Sequence, residues 1–342
     1  MYQQNNHFWG KIRLSAVMAL SILMLSACSD NKTQKEPLAT SEESNTVSAV
    51  TEVSARFSGN AGDQVLMEDY GYLEGERYVL YLEKGTTLPG DLKNQVEEIM
   101  RIDEQILGLS FSVTDYVKNH HWREVFLGDA FQGIQASEDK VQIMIARDQG
   151  DGAVEWSDTN EIMLFDRDFD PEYSTREVIF HELAHVLRLR QSPHLGQVLE
   201  EGIGCYAQYY GSILSETPCW SCLQYMSLET VESRFDDSVI IQDPEAAFRK
   251  YNVADRNAAQ PEYQYGFRFV SFLMEEYGDN ILQRLSATAA KYQYLETDND
   301  KIIEIIKEAT SEDVFERFAK WLPEGWKRIS ENIEDSLRKY GY

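Results

Sequence analysis

The sequence predicts an α+β protein in which a small mixed β-sheet subdomain is followed by a mainly helical subdomain. Three observations lead to this prediction. Short apolar runs of strand length lie before residue 166. From Pro261 onward, apolar residues recur at helical spacing almost without interruption. Between the two parts, residues 179–187 form one apolar helical stretch that carries a His-Glu-x-x-His motif.

The amino terminus has the features of a secretion signal. Two basic residues precede an apolar run over residues 14–25, which is too short to span a membrane comfortably. The run ends in Leu-Ser-Ala-Cys at Cys28, which resembles a bacterial lipobox. The resemblance implies that residues 1–27 are removed and Cys28 is lipidated. An ordinary secretion signal with a chance cysteine is the alternative.

A lipidated Cys28 implies a bacterial cell-envelope protein whose membrane partner is reached through the lipid anchor. In a Gram-negative host, the residue after the cysteine, Ser29, favours the outer membrane. Residues 28–58 are rich in Ser, Thr, Glu, Asn and Lys, so they are predicted to be a flexible tether.

The charge balance excludes one class of partner. The 342 residues include 32 Lys and Arg against 58 Asp and Glu, which gives a formal net charge of −26. Such a field repels nucleic acid, so no nucleic-acid partner is predicted. The remaining length suffices for two subdomains, an α/β one over residues 59–192 and a helical one over residues 193–342.

Taken in order, the predicted elements support this division. In the first subdomain we expect strands and one helix, at residues 78–82 (strand), 89–107 (helix), 109–113, 141–145 and 161–165 (strands). Residues 174–177 have the spacing of a capping box before the motif helix. In the second subdomain we expect helices at residues 197–210, 263–277, 280–291, 301–309, 311–322 and 324–340. The segment 211–260 is predicted to be irregular or partly helical.

The motif helix carries the chemistry. Because His181 and His185 are four residues apart, their side chains project from one face of a helix, where two imidazoles can share a tetrahedral zinc ion. Glu182 then lies beside the open coordination position and can take a proton from a metal-bound water. A catalytic zinc of this kind needs a third protein ligand.

The third ligand is expected within residues 199–206. Leu199, Glu201, Gly202 and Tyr206 resemble the phrase W-L-x-E-G-x-A-x-Y of the gluzincin metallopeptidases, the thermolysin-like, peptidase MA-like clan. The resemblance implies a thermolysin-like fold with the active-site helix between its two subdomains. It also implies that Glu201 is the third zinc ligand, with one Zn²⁺ per chain and a peptide or protein substrate. Glu200 is the alternative ligand.

Two further segments extend the resemblance. Residues 263–278 resemble the Y-x-x-G-x-x-F-V-x-Y-L…Y-G segment of the clan, which implies that Tyr263 hydrogen-bonds the tetrahedral intermediate. The alternative is that Tyr263 is an aromatic residue of helix packing. Residues 152–156 resemble, more weakly, the G-x-M-E-N strand of the aminopeptidase branch, in which Glu155 would anchor a free amine. Endopeptidase and aminopeptidase action both stay open.

The cysteines mark a departure from the family pattern and two rival functions. Where these peptidases often carry an acid that orients the first histidine, this chain has Cys205, so another acceptor is needed or the metal site is weakened. In an oxidising envelope, a loop disulfide is expected among Cys219, Cys222 and Cys205. The rivals are a non-catalytic binding or scaffold lipoprotein that retains the gluzincin fold, and a redox protein that uses Cys219 and Cys222.

Overall fold

The computed structural model confirms the α+β class. It describes residues 70–83, 92–112, 114, 140–146, 156–157, 160–165, 176–215, 237–252, 261–292, 295 and 298–339. The predictions made for Cys28, Glu155, Cys219 and Cys222, and for the signal and tether, lie outside these residues. In the part that is described, none of the helices combines the length and the apolar character needed to cross a membrane.

The described elements alternate at first and then become helical. The strands are β1 (Tyr70–Glu74), β2 (Tyr78–Glu83), β3 (Val141–Ala146), β4 (Trp156–Ser157) and β5 (Glu161–Phe165). The helices are α1 (Leu92–Leu107), α2 (Arg176–Leu189), α3 (Gln197–Leu214), α4 (Asp237–Gln242), α5 (Pro244–Tyr251), α6 (Pro261–Tyr277), α7 (Ile281–Ala289), α8 (Asn299–Ala309) and α9 (Val314–Lys339).

The strands form one mixed sheet in the order β1-β2-β3-β5-β4. The three central strands are parallel, and the two edge strands are antiparallel to their neighbours. Ile143 lies opposite Leu80 on one side and Ile162 on the other, and all three are fully buried. Central parallel strands are covered on both faces, which explains their continuous apolar runs. The edge strands were not predicted as elements.

The motif helix lies between the sheet and the helical part of the molecule. Helix α2 packs against β4 and β5 of the sheet and against the helices α1 and α3. Helix α3 in turn packs along α6. The three segments of the predicted site therefore lie on neighbouring helices: the motif is on α2, Glu201 is on α3 and Tyr263 is on α6.

Helices α3 and α6 cross at two glycines, Gly202 and Gly266, which let their main chains come into contact. A Cβ atom on Gly202 would lie 2.4 Å from main-chain atoms of Gly266. A Cβ atom on Gly266 would lie 2.2 Å from the carbonyl oxygen of Val198. Only glycine fits at either position, and the close approach lets residues next to Gly202 and residues at the start of α6 reach one site.

The strand predicted at residues 109–113 is wrong for residues 109–112, which form no strand; residue 113 lies outside the described part. The main chain here bonds to side chains instead of to a neighbouring strand. The main-chain nitrogen of Phe111 donates to Oε1 of Glu104 at 2.9 Å, and its carbonyl oxygen accepts from Nη1 of Arg190 at 2.6 Å.

The break predicted between residues 322 and 324 is also wrong, because α9 runs through Pro323 without interruption. Buried side chains continue on both sides of the proline, namely Phe318, Leu322, Trp326 and Ile329. Burying several large apolar groups contributes about 1.5–3 kcal/mol each. Together they outweigh the cost of about 3 kcal/mol for an internal proline.

Candidate metal centre

His181 and His185 lie one turn apart on α2, and Glu201 faces them from α3. The Oε2 atom of Glu201 is 3.2 Å from Nε2 of His181 and 3.6 Å from Nε2 of His185. One ligand atom from each of the three residues lies within 4.8 Å of the others. This group could hold a metal ion, and two imidazoles with one carboxylate are a donor set that suits zinc.

The donor atoms are enclosed but remain accessible. The two imidazole rings meet edge to face, with centroids 4.7 Å apart and planes at 79°. The side chains of His181 and His185 keep 10% and 11% of their surface exposed, and that of Glu201 keeps 16%. A small ion or a water molecule can therefore reach the group.

Glu200 is engaged elsewhere, so the structure brings Glu201 and not Glu200 to the histidines. Oε1 of Glu200 accepts hydrogen bonds from Nη2 of Arg188 and from the main-chain nitrogen of Leu195, each at 2.7 Å. Burial opposes ionisation of Glu200, but the Arg188 guanidinium holds the pKa of Glu200 below its usual range. Glu200 is thus one half of a buried ion pair.

Two buried arginines fix the short connection between α2 and α3. Arg188 donates to Oγ of Ser192 at 2.7 Å and to the carbonyl oxygen of Pro193 at 2.6 Å. Arg190 donates to Phe111 and to Asn160. Neither arginine was predicted to have a role, although two positive charges directly after the apolar stretch 179–187 were a usable indication.

Charge is strongly coupled between His181 and Glu201. Burial favours the neutral ring, but the Cys205 thiol and the Glu201 carboxylate beside it raise the pKa of His181 well above its ordinary value. Burial also favours neutral Glu201, but hydrogen bonds from His181 and His185 hold the pKa of Glu201 well below its usual range. The ring and the carboxylate therefore stabilise each other's charged forms, and metal binding has to displace any proton from the ring nitrogen that becomes a ligand.

The other ring nitrogen of His181 meets Gln208. Nδ1 of His181 lies 3.2 Å from Oε1 of Gln208. Cys205 is a buried thiol within hydrogen-bonding reach of the same ring. An acceptor other than Cys205 was predicted to be needed, but Gln208 was not identified from the sequence. The indication was its position seven residues after Glu201, on the same face of α3.

Gly204 leaves the space that the His181 ring occupies against α3. A Cβ atom on Gly204 would lie 2.6 Å from Cε1 of His181. The imidazole therefore rests directly against the main chain of α3. Gly204 was not singled out in the sequence because the reason for it lies in a contact between two helices.

The structure also brings Glu182 and Tyr263 to the group. Glu182 is 8% exposed, and its charge raises the pKa of the neighbouring His181. The ring of Tyr263, near the start of α6, stacks on the ring of His181 with centroids 6.1 Å apart and planes at 24°. Tyr263 also packs against the hydrophobic core. Catalytic and packing roles for this tyrosine are therefore both compatible with its position.

A buried acid on α1 was missed. Asp103 is fully buried, and among the described residues neither of its carboxylate oxygens has a hydrogen-bond partner. Burial raises the pKa of Asp103 well above its ordinary value, and the charge of His181 offsets part of that rise. An aspartate on the apolar face of a helix was the indication in the sequence.

No protein-family model and no curated protein matches the chain significantly. Two solved structures are similar to it, both of a functionally unknown conserved protein from Bacillus anthracis strain Ames. One, a mutant, is 14% identical over 79% of this chain and 53% of its own, with a TM-score of 0.38. The other is 14% identical over 78% and 53%, with a TM-score of 0.39. The chain thus spans about half the length of these structures.

Proposed function

We propose that the protein is a zinc-dependent metallopeptidase of the gluzincin type with a thermolysin-like fold. The observation that carries the proposal is the convergence of His181, His185 and Glu201, with Glu182 next to them on α2. Three protein ligands that leave a fourth position open are typical of catalytic zinc, whereas structural zinc sites use four. We infer one zinc ion per chain.

Glu182 is the general base in this proposal. Its carboxylate takes a proton from the attacking water and returns it to the nitrogen of the leaving amine as the peptide bond breaks. Zinc, when bound, supplies a Lewis acid that polarises the carbonyl and lowers the pKa of water. The position of Glu182 supports this role, because it follows the ligand His181 on α2 and, although buried, keeps 8% of its surface exposed.

Tyr263 is the proposed oxyanion donor. Its ring is stacked on a ligand ring and only partly buried, so its hydroxyl can be presented to a substrate bound over the metal group. A donor aimed at the developing negative charge of the carbonyl oxygen lowers the barrier because the charge is larger in the transition state.

The proposal includes location. The lipobox-like sequence that ends at Cys28 supports a lipid anchor in a bacterial envelope, with a peptide or protein as the substrate. A Cys28→Ala protein is expected to move from the membrane fraction to the soluble fraction. If it stays with the membrane in the same proportion as the wild type, the lipid anchor is wrong.

One experiment tests the chemistry. The Glu182→Gln protein should keep one zinc ion per chain and lose about 10²- to 10⁴-fold of its peptide cleavage, since the general base is gone but the ligands are intact. Zinc is measured by elemental analysis and cleavage with a mixed peptide library. Glu308→Gln, at an exposed glutamate of α8, is the matched control and should change neither quantity.

The outcomes separate the alternatives. Full cleavage by the Glu182→Gln protein would overturn the mechanism. A wild-type protein that binds zinc stoichiometrically but cleaves no peptide would favour the non-catalytic binding lipoprotein.

A further inference from the structure

We propose that Gln208 is the positioning residue for His181, which accepts a hydrogen bond from Nδ1–H and thereby presents an unprotonated Nε2 to the metal. This inference rests on the proposed zinc site. The Cys205 thiol also lies within hydrogen-bonding reach of the His181 ring, but a thiol sulfur is a weak acceptor, whereas the amide oxygen of Gln208 is a good one.

The two nitrogens of the ring face different partners. Nδ1 lies 3.2 Å from Oε1 of Gln208, and Nε2 lies 3.2 Å from Oε2 of Glu201. A neutral imidazole carries a proton on only one of its nitrogens. The amide oxygen of Gln208 can only accept, so its contact is satisfied when the proton is on Nδ1. The Glu201 carboxylate also only accepts, so Nε2 donates to it in the metal-free protein. A bound metal would replace that proton, and the proton left on the neutral ring would be the one on Nδ1.

Helix α3 holds the ring at three successive turns. Glu201 contacts one edge, Gly204 lies under the ring, and Gln208 meets the other edge. Positions 201, 204 and 208 share one face of a helix because they follow the three- and four-residue spacing. A single rigid element therefore fixes both the tautomer and the rotation of the ligand ring.

Because the amide of Gln208 is neutral, it adds no negative charge next to the metal group. The carboxylate of Glu201 already lies 3.2 Å from the His181 ring, and Glu182 follows His181 on α2. A carboxylate at position 208 would add a further acid to a small, mostly buried volume. Gln208 orients the ring without adding that charge.

The test is zinc affinity, measured on the full chain by competition with a chromophoric chelator at one fixed pH. Gln208→Met keeps the length of the side chain and removes the acceptor, so zinc should bind about 10- to 100-fold more weakly. Gln208→Glu keeps an acceptor oxygen in place, so its affinity should equal or exceed that of the wild type. Gln283→Met makes the same replacement on the exposed side of α7 and should leave zinc affinity unchanged.

A second measurement separates positioning from packing. In the zinc-loaded wild type, the Nδ1 proton of His181 should give a slowly exchanging NMR signal, because it is buried and hydrogen-bonded. The signal should broaden or vanish in Gln208→Met and persist in Gln208→Glu. A purely structural role for Gln208 would lower stability without moving this signal.

The outcomes are distinct. Wild-type zinc affinity and an unchanged Nδ1 signal in Gln208→Met would overturn this inference and leave the metallopeptidase proposal standing. A wild-type protein that binds no zinc would overturn both. If Gln208→Met does not fold, Gln208→Asn draws the amide back by one methylene group and is expected to weaken binding; unchanged affinity in that variant overturns the inference as well.

Discussion

Nη2 of Arg188 and Oε1 of Glu200 lie 2.7 Å apart, and both side chains are almost completely buried, at 1% and 2% exposed. The pair joins the end of α2 to the beginning of α3. Because the histidines are on the first helix and Glu201 is on the second, this ion pair links the two helices that carry the metal group.

Replacing one partner of the ion pair should destabilise the protein more than replacing both partners. Arg188→Met leaves the Glu200 carboxylate buried and without its cation, so the free energy of unfolding should fall by about 3–5 kcal/mol. Combining it with Glu200→Leu removes both charges and should recover much of the loss. Chemical denaturation of the metal-free proteins measures both effects. A double variant no more stable than Arg188→Met would contradict the explanation.

Gly204 should be irreplaceable for metal binding. In Gly204→Ala the new methyl group meets the His181 ring at 2.6 Å, so the ring moves and zinc affinity falls. Gly211→Ala, on the same helix, meets the ring of Phe180 at 2.4 Å and provides the control. Both substitutions should lower stability, but only the first should change zinc affinity in a chelator titration. Equal affinities would show that the contact with the ligand ring is unimportant.

Tyr263→Phe tests the hydroxyl apart from the ring. The variant keeps the stacking on His181, so zinc should stay bound, while turnover of a cleaved peptide should fall about 10²- to 10³-fold. Tyr265→Phe is the matched control, because the Tyr265 hydroxyl donates to the carbonyl oxygen of Pro244, 3.0 Å away. If both variants turn over peptide at the wild-type rate, Tyr263 is an aromatic residue of helix packing.

Asp103 should make the stability of the metal-free protein fall as pH rises. The carboxyl loses its proton near pH 4 in the unfolded chain, but burial raises its pKa in the folded protein. The folded state therefore binds more protons above about pH 4, and stability is lost as pH rises through the folded pKa.

The variant Asp103→Asn removes this titration. Its free energy of unfolding, minus that of the wild type, should increase from about pH 4 upward. Denaturation at a series of pH values with a chelator present measures the difference. Asp335→Asn, at an exposed aspartate of α9, should give a profile parallel to the wild type. A parallel profile for Asp103→Asn would contradict the prediction.

The sequence revealed the parts of the site that are local in the chain. His181, Glu182 and His185 follow from spacing on one helix, and Glu201 follows from a short phrase, with fifteen residues between it and His185. Long helices with a regular apolar face were located for the same reason.

Residues defined by contacts between elements were missed. The partners of Gln208, Gly204 and Arg188 are defined only once α2 and α3 lie side by side. The errors at residues 109–112 and at Pro323 have the same origin. In each case a local preference was overruled by a partner distant in the sequence, through hydrogen bonds in the first and core packing in the second.

The crossing of Gly202 and Gly266 has a consequence for how this protein tolerates change. Where two helices touch through their main chains, their separation does not depend on the volumes of nearby side chains. Substitutions among the surrounding rings, such as Phe267 or Tyr209, can therefore accumulate without altering the spacing between Glu201 and Tyr263. The spacing between these two side chains is therefore insensitive to substitutions in the core, as long as positions 202 and 266 remain glycine.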